Sequence, residues 1–76
     1  MFLRRLGPGP GAECAARSCP DIFELKSGDF AIIGADITAT AASQLPETAG
    51  CGPGERIVLV PRRILVLAKT DIPEKV

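Results

Sequence analysis

Apolar and polar side chains alternate through residues 21–35, which is the pattern of a β-hairpin. Ser27-Gly28 lies between the two arms, and the glycine supplies the positive φ that a tight turn requires. A two-residue turn places Lys26 opposite Asp29, an opposite-charge pair beside the turn. The side chains that this register puts on one apolar face are Phe23, Leu25, Phe30 and Ile32.

A short helix and a third strand follow the hairpin. Residues 36–45 predict the helix, which Asp36 or Thr38 can cap at its start and which Pro46 ends. Arg56–Val60 predicts the strand. Its apolar side chains on both faces indicate a central strand or one that is covered on both sides.

The hydrophobic pattern does not decide whether the segment Arg62–Lys69 is a helix or a strand. Pro61 favours a helix, because proline suits a first helical position. Ile64 and Val66 favour a strand. We expect a helix of about two turns, with the strand as the alternative. The predicted fold is a small α+β domain, in which the hairpin and a third strand form an antiparallel or mixed sheet with one or two short helices.

Glycine and proline alternate through residues 7–11, and no periodicity follows before residue 19. Such a segment buries too little apolar surface to offset its loss of conformational entropy. The sequence therefore predicts a disordered lead at 1–18, one domain at 19–73 and a short tail at 74–76.

Composition sets limits on the core. The 76 residues include no His, Trp or Tyr, and 46% are apolar, so the core must be aliphatic with Phe2, Phe23 and Phe30 as its aromatic members. This apolar fraction argues against a wholly disordered chain. A domain of this length buries only about 60–65% of the surface of its unfolded chain. We therefore expect a second chain to cover the exposed face or an edge of the sheet.

Three cysteines are the candidate metal ligands: Cys14, Cys19 and Cys51. Structural zinc takes four thiolate or imidazole ligands, so a fourth would have to come from Asp21, water or another chain. The favoured interpretation is ordinary reduced thiols. A metal site and a Cys14–Cys19 disulfide or redox pair are the alternatives, and no cofactor is predicted.

The sequence predicts no enzyme. Without a histidine, neither a Ser–His nor a Cys–His pair can form within the chain. The carboxylates available for acid–base chemistry have structural explanations in the hairpin or at the helix cap. The two glycine-rich segments, 7–11 and 50–54, are typical of loops, because neither follows a strand and opens a helix as a phosphate-binding loop does.

Positive charge gathers in one segment of a chain whose net charge is zero. Residues 55–69 hold four basic side chains against one acidic one. Arg56, Arg62 and Arg63 are therefore the candidate partner-binding or DNA-binding residues. The plainer interpretation of Arg62 and Arg63 is a solvated first helical turn, since the charge is well short of the basic stripe of most nucleic-acid binders.

The order strand, Pro61, Arg62-Arg63 and apolar helix resembles the first half of the swapped-hairpin domains of AbrB-type transition-state regulators. In that family a dimer binds DNA, and the resemblance implies such a role here. The chain departs from the family pattern because the glycine–aspartate turn, Gly28-Asp29, precedes this segment instead of following it.

A second resemblance extends over residues 19–73. The combination of Cys19-Pro20, the Gly-Asp-Phe hairpin, the strand after Gly52-Pro53-Gly54 and the final Asp71-Ile72-Pro73 resembles short uncharacterised actinobacterial proteins associated with helix-turn-helix regulators. This resemblance implies a role in a regulatory system, with no known activity.

The expected function is a non-enzymatic protein–protein interaction module, an accessory of a transcriptional regulatory system, that binds a protein partner or itself. The alternative is a small dimeric DNA-binding regulator that uses residues 56–63. No apolar run approaches the ~20 residues of a membrane-spanning helix. Gly7–Gly11 stands where the apolar core of a signal peptide would lie. We therefore expect a cytoplasmic protein without membrane contact.

Overall fold

Five β-strands and two short α-helices form the part of the chain that this computed structural model describes, residues 1–11 and 19–76. Their order confirms the predicted α+β class. None of the described helices is both long and apolar enough to cross a membrane. The elements are β1 (Phe2–Arg5), β2 (Asp21–Leu25), β3 (Phe30–Ile33), β4 (Ala35–Asp36), α1 (Thr38–Ala41), a 3-10 turn at Ala42–Gln44, β5 (Val58–Leu59), α2 (Arg62–Ala68) and a 3-10 turn at Lys69–Asp71.

The larger sheet is antiparallel, with β2 in the centre between β1 and β3. β1 lies in the segment predicted to be disordered, so that prediction is wrong for residues 2–5, and the ordered domain starts before residue 19. β1 forms a strand here because two carboxylates on β2 form ion pairs with its arginines. Arg4 Nε lies 2.9 Å from Glu24 Oε1, and Arg5 Nη2 lies 2.9 Å from Asp21 Oδ2. The part of the predicted lead at 12–18 lies outside the described residues.

The connection between β2 and β3 is one residue longer than predicted. Leu25 N–H donates to the Asp29 carbonyl at 2.8 Å, and Gly28 N–H donates to the Leu25 carbonyl at 2.9 Å. Gly28 has a φ of 95°, so the loop has three residues and ends on a left-handed glycine. The pairing therefore moves by one residue, with Glu24 opposite Phe30. The hairpin is confirmed, and its predicted register is wrong.

This register separates the two phenylalanines of the hairpin. Phe23 pairs with Ala31 and Phe30 pairs with Glu24. Because neighbouring side chains on a strand alternate between faces, Phe23 and Phe30 lie on opposite faces of the sheet. The predicted single apolar face is therefore wrong, and it no longer supports the expected need for a second chain.

The face that carries Phe23 is organised by β1. The Phe2 and Phe23 rings meet edge to face with their centres 5.2 Å apart, and the Arg5 guanidinium carbon lies 5.3 Å from the Phe23 ring centre. Arg5 Nε also lies 3.1 Å and 3.0 Å from the two carboxylate oxygens of the buried Asp21. Aromatic, cation–π and charge-assisted contacts therefore hold β1 on β2.

The core lies on the other face, under α2. Leu6, Ile22, Ile64 and Ala68 form the buried cluster, and Val60 packs against it. Ile64 and Ala68 are four residues apart and so share one side of the helix. Leu6 continues the β1 pairing, since its N–H donates to the Ile22 carbonyl at 2.9 Å. The core of the described residues is thus small, and it is built from both ends of the chain.

Asp71 ties the chain after β1 to the end of α2. Its Oδ2 accepts a hydrogen bond of 2.7 Å from Gly7 N–H, and its carbonyl accepts one of 2.7 Å from Arg4 Nη2. Gly7 has a φ of 74°, and a Cβ there would lie 3.1 Å from the Ala68 Cα. Glycine therefore allows the close contact that this junction needs.

The predicted third strand belongs to a separate sheet. β5 pairs with β4, with Ala35 opposite Leu59 and Asp36 opposite Val58. Both β5 side chains are exposed, so the predicted cover on two sides is wrong. Gly34 allows the close approach of β5, since a Cβ there would lie 2.6 Å from the Leu59 carbonyl oxygen. The third strand of the main sheet is β1 instead.

Both predicted helices are present. The N-cap residue of α1 is Ile37, which makes no side-chain cap hydrogen bond, so the predicted cap by Asp36 or Thr38 is wrong. Asp36 stands one residue earlier and accepts a hydrogen bond of 3.0 Å from Thr38 N–H, and the 3-10 turn continues the helix to Gln44. Residues 62–68 are helical, which confirms the helix over the alternative strand. Pro61 stands just before the first helical residue, with φ −55° and ψ 143°.

Candidate functional site

The structure places the three candidate arginines around β5 and the start of α2, in the predicted order of strand, proline and basic helix. Arg62 and Arg63 are exposed, and neither forms an ion pair with a described carboxylate. Arg56 Nε lies 3.8 Å from Asp36 Oδ2, and both side chains are more than half exposed. Solvent therefore screens this pair and makes it weak.

Asp36 is bound more firmly to α1 than to Arg56. Hydrogen bonds from the Thr38 hydroxyl, and then from the Thr38 N–H, hold the pKa of Asp36 below its ordinary value, and the Arg56 charge acts in the same direction. The Thr38 hydroxyl oxygen also accepts a hydrogen bond of 2.8 Å from Ile57 N–H. Asp36 and Thr38 thus join α1 to the chain before β5.

The candidate metal ligands are in different states, and the favoured interpretation of ordinary reduced thiols is wrong for Cys19. Cys14 lies outside the described residues, Cys19 is disulfide-bonded, and Cys51 is a free thiol whose Sγ donates to the Glu55 carbonyl at 3.3 Å. Within residues 1–11 and 19–76, no three potential metal ligands gather. Because a disulfide sulfur is not a thiolate ligand, a three-cysteine metal site stays a prediction for the reduced chain.

The carboxylates considered for acid–base chemistry contact parts of the fold. Asp21 binds Arg5, Glu24 binds Arg4, and Asp29 Oδ2 accepts a long hydrogen bond of 3.5 Å from the Ser27 hydroxyl in the hairpin loop. These contacts agree with the structural roles expected of them. The absence of enzyme activity stays a prediction.

The outer face of α2, formed by Leu65, Val66 and Leu67, is apolar and uncovered. These side chains are 53%, 56% and 44% exposed, whereas Ile64 and Ala68 are buried on the core side. A helix that is apolar on all sides is normally buried on all sides. In the sequence, the unbroken apolar run after Arg63 is the feature that indicates an apolar outer face. One-sided packing of a helix cannot bury so many consecutive residues.

A groove of about 370 Å³ lies where the two sheets diverge. None of the described residues in its walls has a charged side chain, so these residues provide apolar contact without a group that would orient a polar ligand. The lining residues are Cys19, Pro20, Ile33, Gly34, Ala35, Leu59 and Pro61.

Comparison of the chain with protein-family models, curated proteins and solved structures finds no match. The resemblances to AbrB-type domains and to the actinobacterial proteins therefore stay predictions. Function has to be inferred from the surfaces of the chain itself.

Proposed function

We propose that the chain is a non-enzymatic protein–protein interaction module that binds its partner through the outer face of α2. The observation that carries this proposal is the exposure of three consecutive apolar side chains, Leu65, Val66 and Leu67, on a helix whose other side forms the core. The proposal does not depend on the predicted single apolar face of the sheet, which the hairpin register excludes.

The energetics of burial favour a partner at this face. Removing a Leu or Val side chain from water contributes about 1.5–3 kcal/mol, and three adjacent side chains can act as the centre of an interface. The rim next to them is polar, with Arg62 and Arg63 at one end of α2 and Lys69 at the other. An apolar centre with a polar rim is the usual arrangement of a specific protein interface.

The resemblance to proteins associated with helix-turn-helix regulators suggests which partner to look for. A component of a transcriptional regulatory system is the proposed partner, with the chain as its accessory in the cytoplasm. Nothing in this proposal requires a cofactor.

Val66→Glu is expected to weaken partner binding by at least about tenfold, because it places a charge where the interface must exclude water. The measurement is affinity capture from the source cells with tagged wild type and variant, followed by identification of the captured proteins. Thr70→Glu, which adds the same charge at a neighbouring exposed polar position, is the matched control.

A protein captured by wild type and Thr70→Glu and lost with Val66→Glu would support the proposal. Equal capture by all three chains, or capture of nothing above background, would contradict it. Circular dichroism and melting of each variant establish that the loss is not caused by unfolding.

The exposed Arg62 and Arg63, which have no described carboxylate partner, favour DNA binding as a second candidate function. Binding through Arg56, Arg62 and Arg63 would fall with salt, with a log–log slope of about −0.9 for each phosphate contacted. Titration of a labelled duplex at several salt concentrations tests this. An absence of binding at low salt would exclude it.

A further inference from the structure

β3 is an edge strand with an unusual composition for an edge. It lies at the end of the strand order β1-β2-β3 and consists of Phe30, Ala31, Ile32 and Ile33, with no charge and no proline. Phe30, Ile32 and Ile33 are each about half exposed. Soluble proteins normally protect such edges with charges, bulges or cover, because free strand edges pair with other chains.

The opposite edge of the same sheet has the usual protection. β1 carries two arginines, Arg4 and Arg5, and a break in register between Phe2 and Arg4. Charge and an irregular ladder both disfavour pairing with a further strand. β3 is therefore the edge that is suited to accept a strand.

The hydrogen-bond pattern shows which groups of β3 are available. Bonded and non-bonded positions alternate in an antiparallel pair. Since Leu25 bonds to Asp29 across the loop, Ala31 also bonds to β2, whereas Phe30 and Ile32 direct their N–H and C=O groups away from it. No described strand lies on that side of β3.

We propose that the free edge of β3 pairs with β3 of a second copy of this chain, in antiparallel orientation about a two-fold axis at Ala31. This inference goes beyond the proposed function, because it concerns the β3 edge and not the outer face of α2. Phe30 then pairs with Ile32 of the partner subunit, and these two positions exchange hydrogen bonds in both directions. The result is a continuous six-stranded sheet.

Charge is compatible with this self-pairing. In the proposed register Asp29 stands opposite Ile33 of the partner subunit, so the two Asp29 carboxylates do not face each other. The strand itself carries no charge. Like charges directly opposite would destabilise a strand pair, and this arrangement has none along β3.

The accessible surface of the chain is also larger than a monomer of this mass should expose. It measures 6141 Å², whereas a compact 7.9 kDa monomer exposes about 4,400 Å². A fully extended segment with the composition of residues 12–18, which lie outside the described ranges, would expose only about 1,000 Å². A surplus of about 700 Å² per chain remains, close to the about 800 Å² that each partner buries in a stable interface.

Disulfide cross-linking tests the register directly. Ala31→Cys in a Cys51→Ser background is expected to form a covalent dimer on mild oxidation, because opposed residues at a non-bonded position have Cα atoms about 4.5 Å apart. Ser27→Cys in the same background is the control, since the hairpin loop lies far from the two-fold axis. We expect at least about tenfold more dimer from Ala31→Cys, because a disulfide cannot form beyond a Cα separation of about 7 Å.

Light scattering tests the interface without a cross-link. The wild type is expected at twice its 7.9 kDa mass, and Ile32→Pro at the monomer mass. Proline at position 32 removes an N–H that points to the free edge and leaves the bonds from β3 to β2 in place. The circular dichroism of the variant should therefore stay close to that of the wild type.

A monomeric wild type, or equal cross-linking of Ala31→Cys and Ser27→Cys, would overturn the self-pairing. That result leaves the proposed function standing if Val66→Glu still loses a captured protein. If the wild type is a dimer and Val66→Glu captures the same proteins as the wild type, the self-pairing is supported and the proposed interface on α2 is contradicted.

Discussion

Leu6→Ala is expected to lower the free energy of unfolding by about 2–5 kcal/mol, which is the usual range for a buried leucine. Leu6 is 1% exposed and contacts Ile22, Ile64 and Ala68 in the small core. A shortened side chain leaves a cavity beneath α2 that so few neighbours cannot fill. Since domains of this size have only a few kcal/mol of stability in total, the variant should lose cooperative unfolding altogether.

The measurement is urea denaturation followed by circular dichroism, with Leu3→Ala as the matched control. Leu3 lies in β1, three residues before Leu6, and is 56% exposed. Its truncation should change the unfolding free energy by less than about 0.5 kcal/mol. Equal losses in the two variants would show that Leu6 has no special role in the core.

Asp21→Ala is expected to destabilise the chain by about 1.5–3 kcal/mol, because it removes charge-assisted hydrogen bonds from a buried carboxylate. Asp21 is 5% exposed and binds Arg5 with an Nη2–Oδ2 distance of 2.9 Å. Without it, the guanidinium stays stacked on Phe23 with no counter-charge. β1 should then separate from β2 before the rest of the fold melts.

The other ion pair between these strands provides the control. Arg4 Nε and Glu24 Oε1 are also 2.9 Å apart, and both arginines are about half exposed, but the Glu24 side chain is 15% exposed against 7% for that of Asp21. Glu24→Ala should therefore cost less than about 1 kcal/mol. Thermal melts of both variants are the measurement, and a loss for Glu24→Ala equal to that of Asp21→Ala would contradict the role given to burial.

The hairpin shows how far local sequence determines a fold. Alternation and Gly28 are local signals, and they predict the two strands and the turn between them correctly. Register depends on whether the glycine closes a two-residue or a three-residue loop, and Ser27-Gly28 is compatible with both. The structure uses the longer loop, and one residue is enough to move Phe30 to the other face.

β1 shows what local sequence cannot provide. Phe2–Arg5 has no periodicity of its own and is followed by alternating glycine and proline, so its composition indicates a disordered lead. The strand exists because Glu24 and Asp21 provide partners for its two arginines. Such long-range pairing is invisible in any short window of sequence.

Some features of the candidate site can be predicted from local sequence and others cannot. The helix of residues 62–68 follows from Pro61 and the apolar run behind it, and the two exposed arginines follow from the start of that helix. The exposure of the outer face of α2 does not follow from the local sequence, because this exposure depends on which elements pack over the helix. The sequence also does not predict that β3 is an edge strand, since this depends on which side of β2 the strand β1 pairs with.

The positions of the core residues along the chain have a consequence for how the protein folds during synthesis. Leu6 and Ile22 leave the ribosome well before Ile64 and Ala68 do. The nascent chain can form its hairpin but cannot close its core until α2 has also emerged, because Ile64 and Ala68 are members of the buried cluster. The apolar β3 edge is exposed throughout that interval, and unpaired strand edges make incompletely folded chains prone to aggregation.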